Sequence, residues 1–378
     1  MKFVIQRNRL VDSVQDVMKA ISSRAAVPIL TGIKIEAKKH GITLTGSDSD
    51  ISIESYIPNE QDGETHVEQI IEGSIVIDAR YFPDIIRKLP ENTVEISVND
   101  QLLVTIRSGK AEFNLNGLDA NEYPLLPEVQ TEDSFTIPID LLKYMISQTV
   151  FAVSTMETRP ILTGVNMTLK DNRLNFTATD SHRLASRHIP IDTNGLEFSN
   201  VVVPGKSLNE LNKILDETEE LVEISVTANQ ILFKSKHLNF MSRLLEGNYP
   251  ETSRLIPTQS KTTINANTKE LIQAIDRASL LARDERNNVV RLSTINEQLI
   301  EIMSNSPEIG HVEEEIPIKS FQGEELNISF SSKYMLEGLR AIHSDEVSIE
   351  FTGAMRPFII RPIDGEEVLQ LILPVRTY

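Results

Sequence analysis

Apolar residues recur at helical spacing near the start of each third of the chain. The three stripes are Leu10, Val14, Val17 and Ile21; Leu142, Met145, Ile146, Thr149, Val150 and Val153; and Leu271, Ile275, Ala278 and Ala282. Spacings of three and four residues, with polar residues between them, are typical of a helix that buries one face. Thr268 precedes the third stripe and is the expected N-cap of that helix.

A second helix and a set of strands are predicted after each stripe. The second helices fall at about 79–88, 206–215 and 333–342, and apolar and polar residues alternate at 42–45 and 174–177. Strand pairs then follow at 94–98 with 102–106, 222–226 with 231–234, and 347–351 with 357–361. Each third therefore is predicted to be an α+β unit. The boundaries predicted from polar, proline-flanked stretches give domains 1–128, 129–257 and 258–378.

Short strings repeat along the chain at nearly constant intervals. The string PILTG at 28–32 returns at 160–164, VEISV at 94–98 returns at 222–226, and the Tyr-Pro pair at 123–124 returns at 249–250. A period of about a third of the chain is far longer than the roughly 20–50 residues of solenoid repeats. The repeats therefore indicate whole duplicated domains.

The predicted helices differ in charge from the rest of the chain. The chain has 37 Lys and Arg against 55 Asp and Glu, a net charge of −18, which argues against a nucleic-acid partner. The helical windows 7–24, 80–88, 139–155, 205–216, 269–283 and 333–340 nevertheless hold 15 basic and 9 acidic residues. Two interpretations remain open: ordinary surface helices, or helices that share one positive surface facing a polyanion.

The sequence offers little support for catalysis, metal binding or a membrane. It has no cysteine, no glycine-rich phosphate loop and no apolar run of the roughly 20 residues that a membrane span needs, so we expect a cytoplasmic protein without cofactor or metal. The string Thr179-Asp180-Ser181-His182-Arg183 suggests a hydrolase that uses Asp180 and His182. Neighbouring side chains on an extended segment point to opposite faces, however, which favours a turn over a catalytic triad.

The whole chain resembles the β subunit of bacterial DNA polymerase III, the replication sliding clamp. The resemblance rests on the order and spacing of Met1-Lys2-Phe3, Arg24 before 28–30, the string 179–184, Gly247-Asn248-Tyr249-Pro250 and the terminal Leu373-Pro374-Val375-Arg376. It implies three tandem similar domains of the DNA clamp fold, each with two helices packed on antiparallel sheets. It further implies a head-to-tail homodimeric ring of six domains around double-stranded DNA, which tethers a polymerase and is not an enzyme.

The resemblance also implies three sites. A cleft for peptides of the replicative polymerase, the clamp loader and other replication and repair proteins would be formed by Leu162, Thr179, His182, Arg183, Leu184, Pro250, Arg254, Leu255, Pro357, Leu371, Leu373, Pro374, Val375 and Arg376, with an apolar floor and Arg and Thr at the rim. Phe113, Leu280 and Leu281 would lie at the subunit interface, and Arg24 would contact DNA. An open, monomeric nucleic-acid-binding module and the hydrolase remain the alternatives.

Overall fold

We analysed a computed structural model of the chain, which describes residues 1–22, 25, 27–124, 134–192, 195–216, 221–282 and 288–376. Within these ranges six α-helices are present: α1 Arg7–Val17, α2 Phe82–Lys88, α3 Ile139–Ser147, α4 Gly205–Ile214, α5 Thr268–Ala282 and α6 Ser332–Ile342. No helix in this part of the chain is long and apolar enough to cross a membrane.

The strands outnumber the helices, and every pairing between them in the described residues is antiparallel. The first half of the chain contributes β1 Lys2–Gln6, β2 Gly32–Lys38, β3 Gly41–Ser47, β4 Ile51–Pro58, β5 Glu60–Gln61, β6 Glu64–Thr65, β7 Val67–Ile71, β8 Gly73–Asp78, β9 Thr93–Val98, β10 Leu103–Ser108, β11 Ala111–Asn116, β12 Ser134–Pro138, β13 Gly164–Lys170 and β14 Arg173–Thr179. The second half contributes β15 Arg183–Pro190, β16 Phe198–Pro204, β17 Leu221–Val226, β18 Gln230–Lys234, β19 Leu238–Arg243, β20 Thr262–Asn267, β21 Val289–Thr294, β22 Leu299–Ser306, β23 Gly310–Pro317, β24 Ser320–Gly323, β25 Asn327–Ser331, β26 Glu346–Phe351, β27 Phe358–Pro362 and β28 Val368–Ile372.

The first compact unit contains residues 1–140 and 213–244. Its larger sheet has the order β12-β17-β18-β19-β4-β3-β2-β8, and its smaller sheet has the order β11-β10-β9-β1-β7. Strand β19 joins β4 in a regular register that runs from Leu238 opposite Ser55 to Ser242 opposite Ile51. Strands from the middle third of the sequence therefore complete a sheet that begins in the first third.

The second compact unit contains residues 141–212 and 245–378. Its nine-stranded sheet has the order β16-β13-β14-β15-β28-β27-β26-β20-β24, and a four-stranded sheet has the order β23-β22-β21-β25. Here β15 pairs with β28, from Arg183 opposite Ile372 to Arg187 opposite Val368. This seam repeats the arrangement of β4 and β19, now between the middle and last thirds.

The helical stripes predicted from the sequence face the core where the helices form, but two of the stripes are longer than their helices: Ile21 lies beyond α1, and Thr149, Val150 and Val153 lie beyond α3. Leu10, Val14 and Val17 of α1 are buried, and so are all four apolar positions of the α5 stripe. Burial of a Val, Leu or Ile side chain stabilises the fold by about 1.5–3 kcal/mol, so each stripe is a sufficient reason for its helix to pack on a sheet. The predicted strand pairs are confirmed as β9 with β10, β17 with β18, and β26 with β27.

The predicted N-cap of α5 is wrong by one residue. Thr268 is the first helical residue and is buried, whereas the side-chain Oδ1 of Asn267 accepts a hydrogen bond of 3.0 Å from the backbone N–H of Glu270. Asparagine satisfies such a free helix N–H as well as threonine does, and the sequence alone does not decide between two neighbouring capping residues. The domain boundaries after residues 128 and 257 remain a prediction. The two compact units are defined by contacts between residues, so their limits do not test boundaries that were predicted from the sequence repeats.

Candidate partner-binding cleft

The string Thr179-Asp180-Ser181-His182-Arg183 forms a tight turn between β14 and β15. The Asp180 Oδ1 accepts hydrogen bonds from the backbone N–H groups of His182 (2.9 Å) and Arg183 (3.1 Å). Ser181 adopts the left-handed conformation with φ of 79°. Aspartate stabilises turns in this way because its short side chain reaches the backbone two and three residues ahead. The sequence interpretation of this string as a turn is confirmed.

Arg183 fixes the turn from the inside of the second unit. Its side chain is 7% exposed; its Nε donates to Asp180 Oδ2 at 3.0 Å, its Nη2 donates to the carbonyl of Phe151 at 2.6 Å, and its Nη1 pairs with Glu337. The guanidinium carbon also lies 4.6 Å from the ring centre of Tyr334. A buried cation needs such complete pairing, and loss of one partner leaves an uncompensated charge. Arg183 is therefore a positioning residue for the turn.

The arrangement of Asp180 and His182 does not support the hydrolase alternative. Both carboxylate oxygens of Asp180 are engaged by the turn backbone and by Arg183. The His182 ring lies instead against Tyr334, with ring centres 6.4 Å apart and an angle of 17° between the planes. A triad requires a base oriented by the acid and in reach of a nucleophile, and this ring is oriented by an aromatic side chain.

Two small apolar clusters lie beside the turn, separate from the large core of the last third. Leu184 and Leu371 pack with Ile359 and Leu369, and Ile256 packs against them. The second cluster consists of Leu162, Val202 and Tyr249. The Tyr249 hydroxyl accepts a hydrogen bond of 3.0 Å from the Thr179 backbone, and desolvation raises its pKa. The turn backbone is thus bonded to the tyrosine that packs with Leu162, and Leu184 follows the turn directly.

The rim of the candidate cleft differs from the sequence expectation. Thr179 and Arg183 are buried, and the Thr179 hydroxyl donates to the Arg183 carbonyl at 2.6 Å. Their polar groups are used inside the fold, so their predicted place at the rim is wrong. The exposed members of the set are His182, Pro250, Arg254, Leu255, Leu373 and Arg376, and the half-buried members are Pro357, Pro374 and Val375.

The C-terminal segment is attached to this surface through its backbone. The N–H of Leu373 donates to the carbonyl of His182 at 3.0 Å, and the N–H of Val375 donates to the carbonyl of Ser329 at 2.8 Å. Leu255 is 53% exposed and Leu373 is 37% exposed. Exposed leucines beside buried apolar clusters are a feature of binding grooves, because a partner's apolar side chain can cover them.

Of the residues predicted for the subunit interface, one lies on an edge strand and two lie on a helix that packs against an edge strand. Phe113 is on β11, the outermost strand of its sheet, and is 40% exposed. Leu280 is 54% exposed on α5, which packs against β23, and Leu281 is half-buried. Strand β23 is itself an outermost strand in the described part of the second unit.

The helices carry lysines that are not neutralised within the described residues. Lys88, Lys269 and Lys333 are exposed, and no ion pair joins them to a described carboxylate, whereas the exposed Lys19 interacts electrostatically with Asp16. Four arginines of these segments differ, since each pairs with a nearby carboxylate: Arg80, Arg87, Arg277 and Arg340. Arg24, the predicted DNA contact, lies outside the described residues.

Sequence reasoning missed the residues that support the turn. Tyr334 and Glu337 are three residues apart on α6 and meet Arg183, and the Phe151 ring also lies under its guanidinium, 5.2 Å away. Their spacing places them on one face of a predicted helix, which was a detectable signal. The sequence could not show that a turn 150 residues earlier would meet that face.

Three family models describe the chain almost from end to end. They are those of the N-terminal, central and C-terminal domains of the DNA polymerase III beta subunit, and they match residues 1–127, 136–251 and 253–376 in that order. The chain belongs to the DNA polymerase III beta subunit family. It is thus built from three tandem clamp domains, as the resemblance implied.

Relatives match the chain over its full length. A beta sliding clamp of Bacillus subtilis is 61% identical over 378 residues, and one of Halalkalibacterium halodurans is 53% identical over 380 residues; each match covers all of both chains. The crystal structure of a DNA polymerase sliding clamp from Bacillus subtilis superimposes with a TM-score of 0.96 at 60% identity, again over all of both chains.

Proposed function

We propose that this protein is a non-catalytic DNA sliding clamp, a homodimeric ring that encircles double-stranded DNA and tethers the replicative polymerase. The observation that carries the proposal is the full-length match to beta sliding clamps at 61% identity. Such a protein works in the bacterial cytoplasm, at the replication fork. Its contribution to synthesis is effective concentration, since a tethered polymerase rebinds the same template without diffusing away.

Two of the outermost strands in the described residues support head-to-tail association. Strand β11 presents Phe113 in the first unit, and β23 with the neighbouring Leu280 lies in the second unit. Exposed strand edges readily pair with other chains, so soluble proteins cover or protect them. Because the two edges belong to different units of one chain, their pairing is a heterologous contact, which closes into a ring when the rotation between subunits allows it.

The unpaired lysines of the helices support DNA binding that is independent of base sequence. Lysine ammonium groups attract phosphates without reading base edges, and this contribution weakens as salt rises. The remainder of the chain outside the six helical windows carries 22 basic and 46 acidic residues, and its negative charge repels the same polyanion. A clamp needs such weak, non-specific contacts, because tight contacts would prevent sliding.

The candidate cleft supports recognition of short peptides from several partners. Its buried leucines, exposed leucines and exposed arginines form an apolar centre with a polar rim, which is the usual anatomy of a protein-binding surface. We assign to it the replicative polymerase, the clamp loader and other replication and repair proteins that carry a clamp-binding segment.

Loading the protein on nicked circular DNA tests the topological mechanism. At about 0.5–1 M NaCl, ordinary phosphate contacts are lost, whereas a closed ring is expected to stay on the circle and to leave once the circle is linearised. Gel filtration of labelled protein with the DNA measures both states. Equal loss from circular and linear DNA at high salt would contradict encirclement, and the open monomeric module predicts that equal loss.

Replacement of His182 separates the clamp from the hydrolase. His182→Ala removes an exposed ring that rests on Tyr334, so we expect polymerase-peptide binding to weaken by about fivefold, with no hydrolytic turnover to lose. Fluorescence anisotropy with a labelled C-terminal peptide of the cognate polymerase measures the affinity. His40→Ala, an exposed histidine in the first unit, is the control and should bind normally. Unchanged affinity of His182→Ala would remove His182 from the site.

A further inference from the structure

The first unit contains a cavity of about 190 Å³ that the function described so far does not use. Its apolar wall is formed by Val27, Leu30, Tyr123, Pro124 and Met241. Ser47, Ser52, Asp50 and Arg243 supply polar groups around it. Pockets for drug-sized ligands have volumes of about 300–1,000 Å³, so this cavity has room for a single side chain of a larger molecule.

The turn at this cavity reproduces the turn of the candidate cleft. Asp48 Oδ1 accepts hydrogen bonds from the N–H groups of Asp50 (3.0 Å) and Ile51 (2.8 Å), as Asp180 does for His182 and Arg183. Ser49 has φ of 79°, the value found at Ser181. The repeated sequence at 46–50 and 178–182 therefore builds the same backbone twice.

The walls of the two sites also correspond. Leu30 lies in a 3₁₀ turn, Pro28–Thr31, as Leu162 lies in Pro160–Thr163. Tyr123 packs with Leu30 as Tyr249 packs with Leu162. Desolvation raises the pKa of both tyrosines. The Tyr249 hydroxyl accepts the Thr179 backbone N–H, whereas the buried Tyr123 hydroxyl has no hydrogen-bond partner among the described residues.

The strand pair β4 and β19 at the cavity also corresponds to the strand pair β15 and β28 at the candidate cleft. Met241 lies opposite Ser52 on β4, as Leu371 lies opposite Leu184 on β15. Just beyond each strand pair a further backbone hydrogen bond is present. The N–H of Arg243 donates to the carbonyl of Asp50 at 2.9 Å, and the N–H of Leu373 donates to the carbonyl of His182 in the same way. Two leucines of the candidate cleft are thus replaced by Ser52 and Arg243 at the cavity, and His182 is replaced by Asp50.

We propose that this first-unit cavity is a second peptide-binding site, which takes one leucine-sized side chain followed by an acidic residue of a partner protein. The inference rests on the proposed function of the candidate cleft, because the two sites share one construction. The retained apolar wall accommodates the anchor, and Ser52 and Arg243 make the site smaller and more polar than the cleft.

Asp50 and Arg243 are the charged residues that line the cavity, and the cation of Arg243 selects the occupant. The guanidinium of Arg243 is exposed, and no described carboxylate lies within ion-pair distance of it. Arg243 takes the place of a leucine, so an apolar second anchor that suits the cleft would meet a cation here. A carboxylate on the peptide pairs with arginine in a bidentate geometry, which gives both affinity and orientation.

Methionine methyl NMR on the full-length protein tests the proposal. The probe is an eight-residue peptide, Ser-Gly-Ser-Leu-Asp-Ser-Gly-Ser, titrated to about 5 mM against protein with ¹³C-labelled methionine methyl groups, and Met241 reports on the cavity. We expect the Met241 signal to shift with saturation, while that of the exposed Met156 stays in place. A peptide with alanine in place of the leucine should leave Met241 unshifted.

Two charge-reversal variants show whether the probe peptide binds at the cavity or at the candidate cleft. Arg243→Glu should weaken binding of the probe at Met241 by about fivefold or more and should favour the version with lysine in place of the aspartate. Arg254→Glu, at an exposed arginine of the candidate cleft, should leave the Met241 shift unchanged. Ser52→Leu, which narrows the cavity, should also abolish the shift.

The outcomes distinguish the inference from the proposed function. If the probe leaves Met241 unshifted, or binds Arg243→Glu as well as the unaltered protein, the second site is refuted, and polymerase binding at the candidate cleft is unaffected by that result. If polymerase peptides fail to bind the cleft while the Met241 shift remains sensitive to Arg243, the cleft assignment fails and the cavity remains a peptide site.

Discussion

Deletion of residues 374–378 is expected to abolish binding of polymerase peptides while the homodimer stays intact. The deletion removes Pro374, Val375 and Arg376 from the candidate cleft, together with the backbone hydrogen bond from Val375 to Ser329. Loss of several neighbouring contacts at the centre of a binding surface costs about 3 kcal/mol or more, which is at least a hundredfold in affinity. Phe113 and Leu280 are untouched, so the proposed subunit interface is preserved.

Two measurements on one preparation check this prediction. Fluorescence anisotropy with a labelled peptide of the cognate polymerase reports the cleft, and multi-angle light scattering reports the mass of the assembly. A protein lacking only residues 377 and 378 is the matched control and should bind the peptide at full affinity. A deletion of 374–378 that still binds at full affinity would refute the assignment of this segment to the site.

Replacement of Asp16 by asparagine is expected to stabilise the protein at alkaline pH by up to about 4 kcal/mol. Asp16 lies on α1, and its pKa is raised from 3.8 to about 7, first by burial and then by repulsion from Asp12, while Lys19 opposes the rise. Between pH 4 and 7 the folded protein holds a proton that the unfolded chain releases. Stability therefore falls as pH rises through this window, and the full cost is present above pH 7.

Urea unfolding at fixed protein concentration tests the sign of this effect. Asp16→Asn should resemble the unaltered protein at pH 4 and exceed its stability at pH 8, because asparagine has no charge to bury. Asp100→Asn, on an exposed turn, is the control and should not change the pH profile. An equal gain at both pH values would show that the effect of Asp16→Asn does not come from ionisation.

Local patterns predicted the elements of this fold well, because each element depends on residues a few positions apart. The stripe of Leu271, Ile275, Ala278 and Ala282 and the alternation in 94–98 each encode their own buried face. The sequence could not distinguish Asn267 from Thr268 as the N-cap, because the two neighbouring side chains are both good capping groups. In the structure Asn267 caps the helix, and Thr268 is buried as the first helical residue.

Long-range pairing was the part that the sequence could not supply. Nothing in the local pattern shows that β19 extends the sheet of the first third, or that Arg183 is buried between Asp180 and Glu337. Arginine and threonine are mostly exposed in proteins, so a rim position was the reasonable expectation for Arg183 and Thr179. The turn reverses that expectation, since it gives each of their polar groups an internal partner.

The shared sheets have a consequence for how the chain is synthesised. Asn239 on β19 hydrogen-bonds to Glu54 on β4, a separation of 185 residues. At ribosomal rates of roughly 5–20 residues per second, β19 is synthesised about 10–40 s after β4. The N-terminal third therefore leaves the ribosome with an incomplete sheet and an open edge. Until β19 is synthesised, that edge is open to pairing with other chains, and chaperones that cover it during translation are expected to raise the yield of assembled protein.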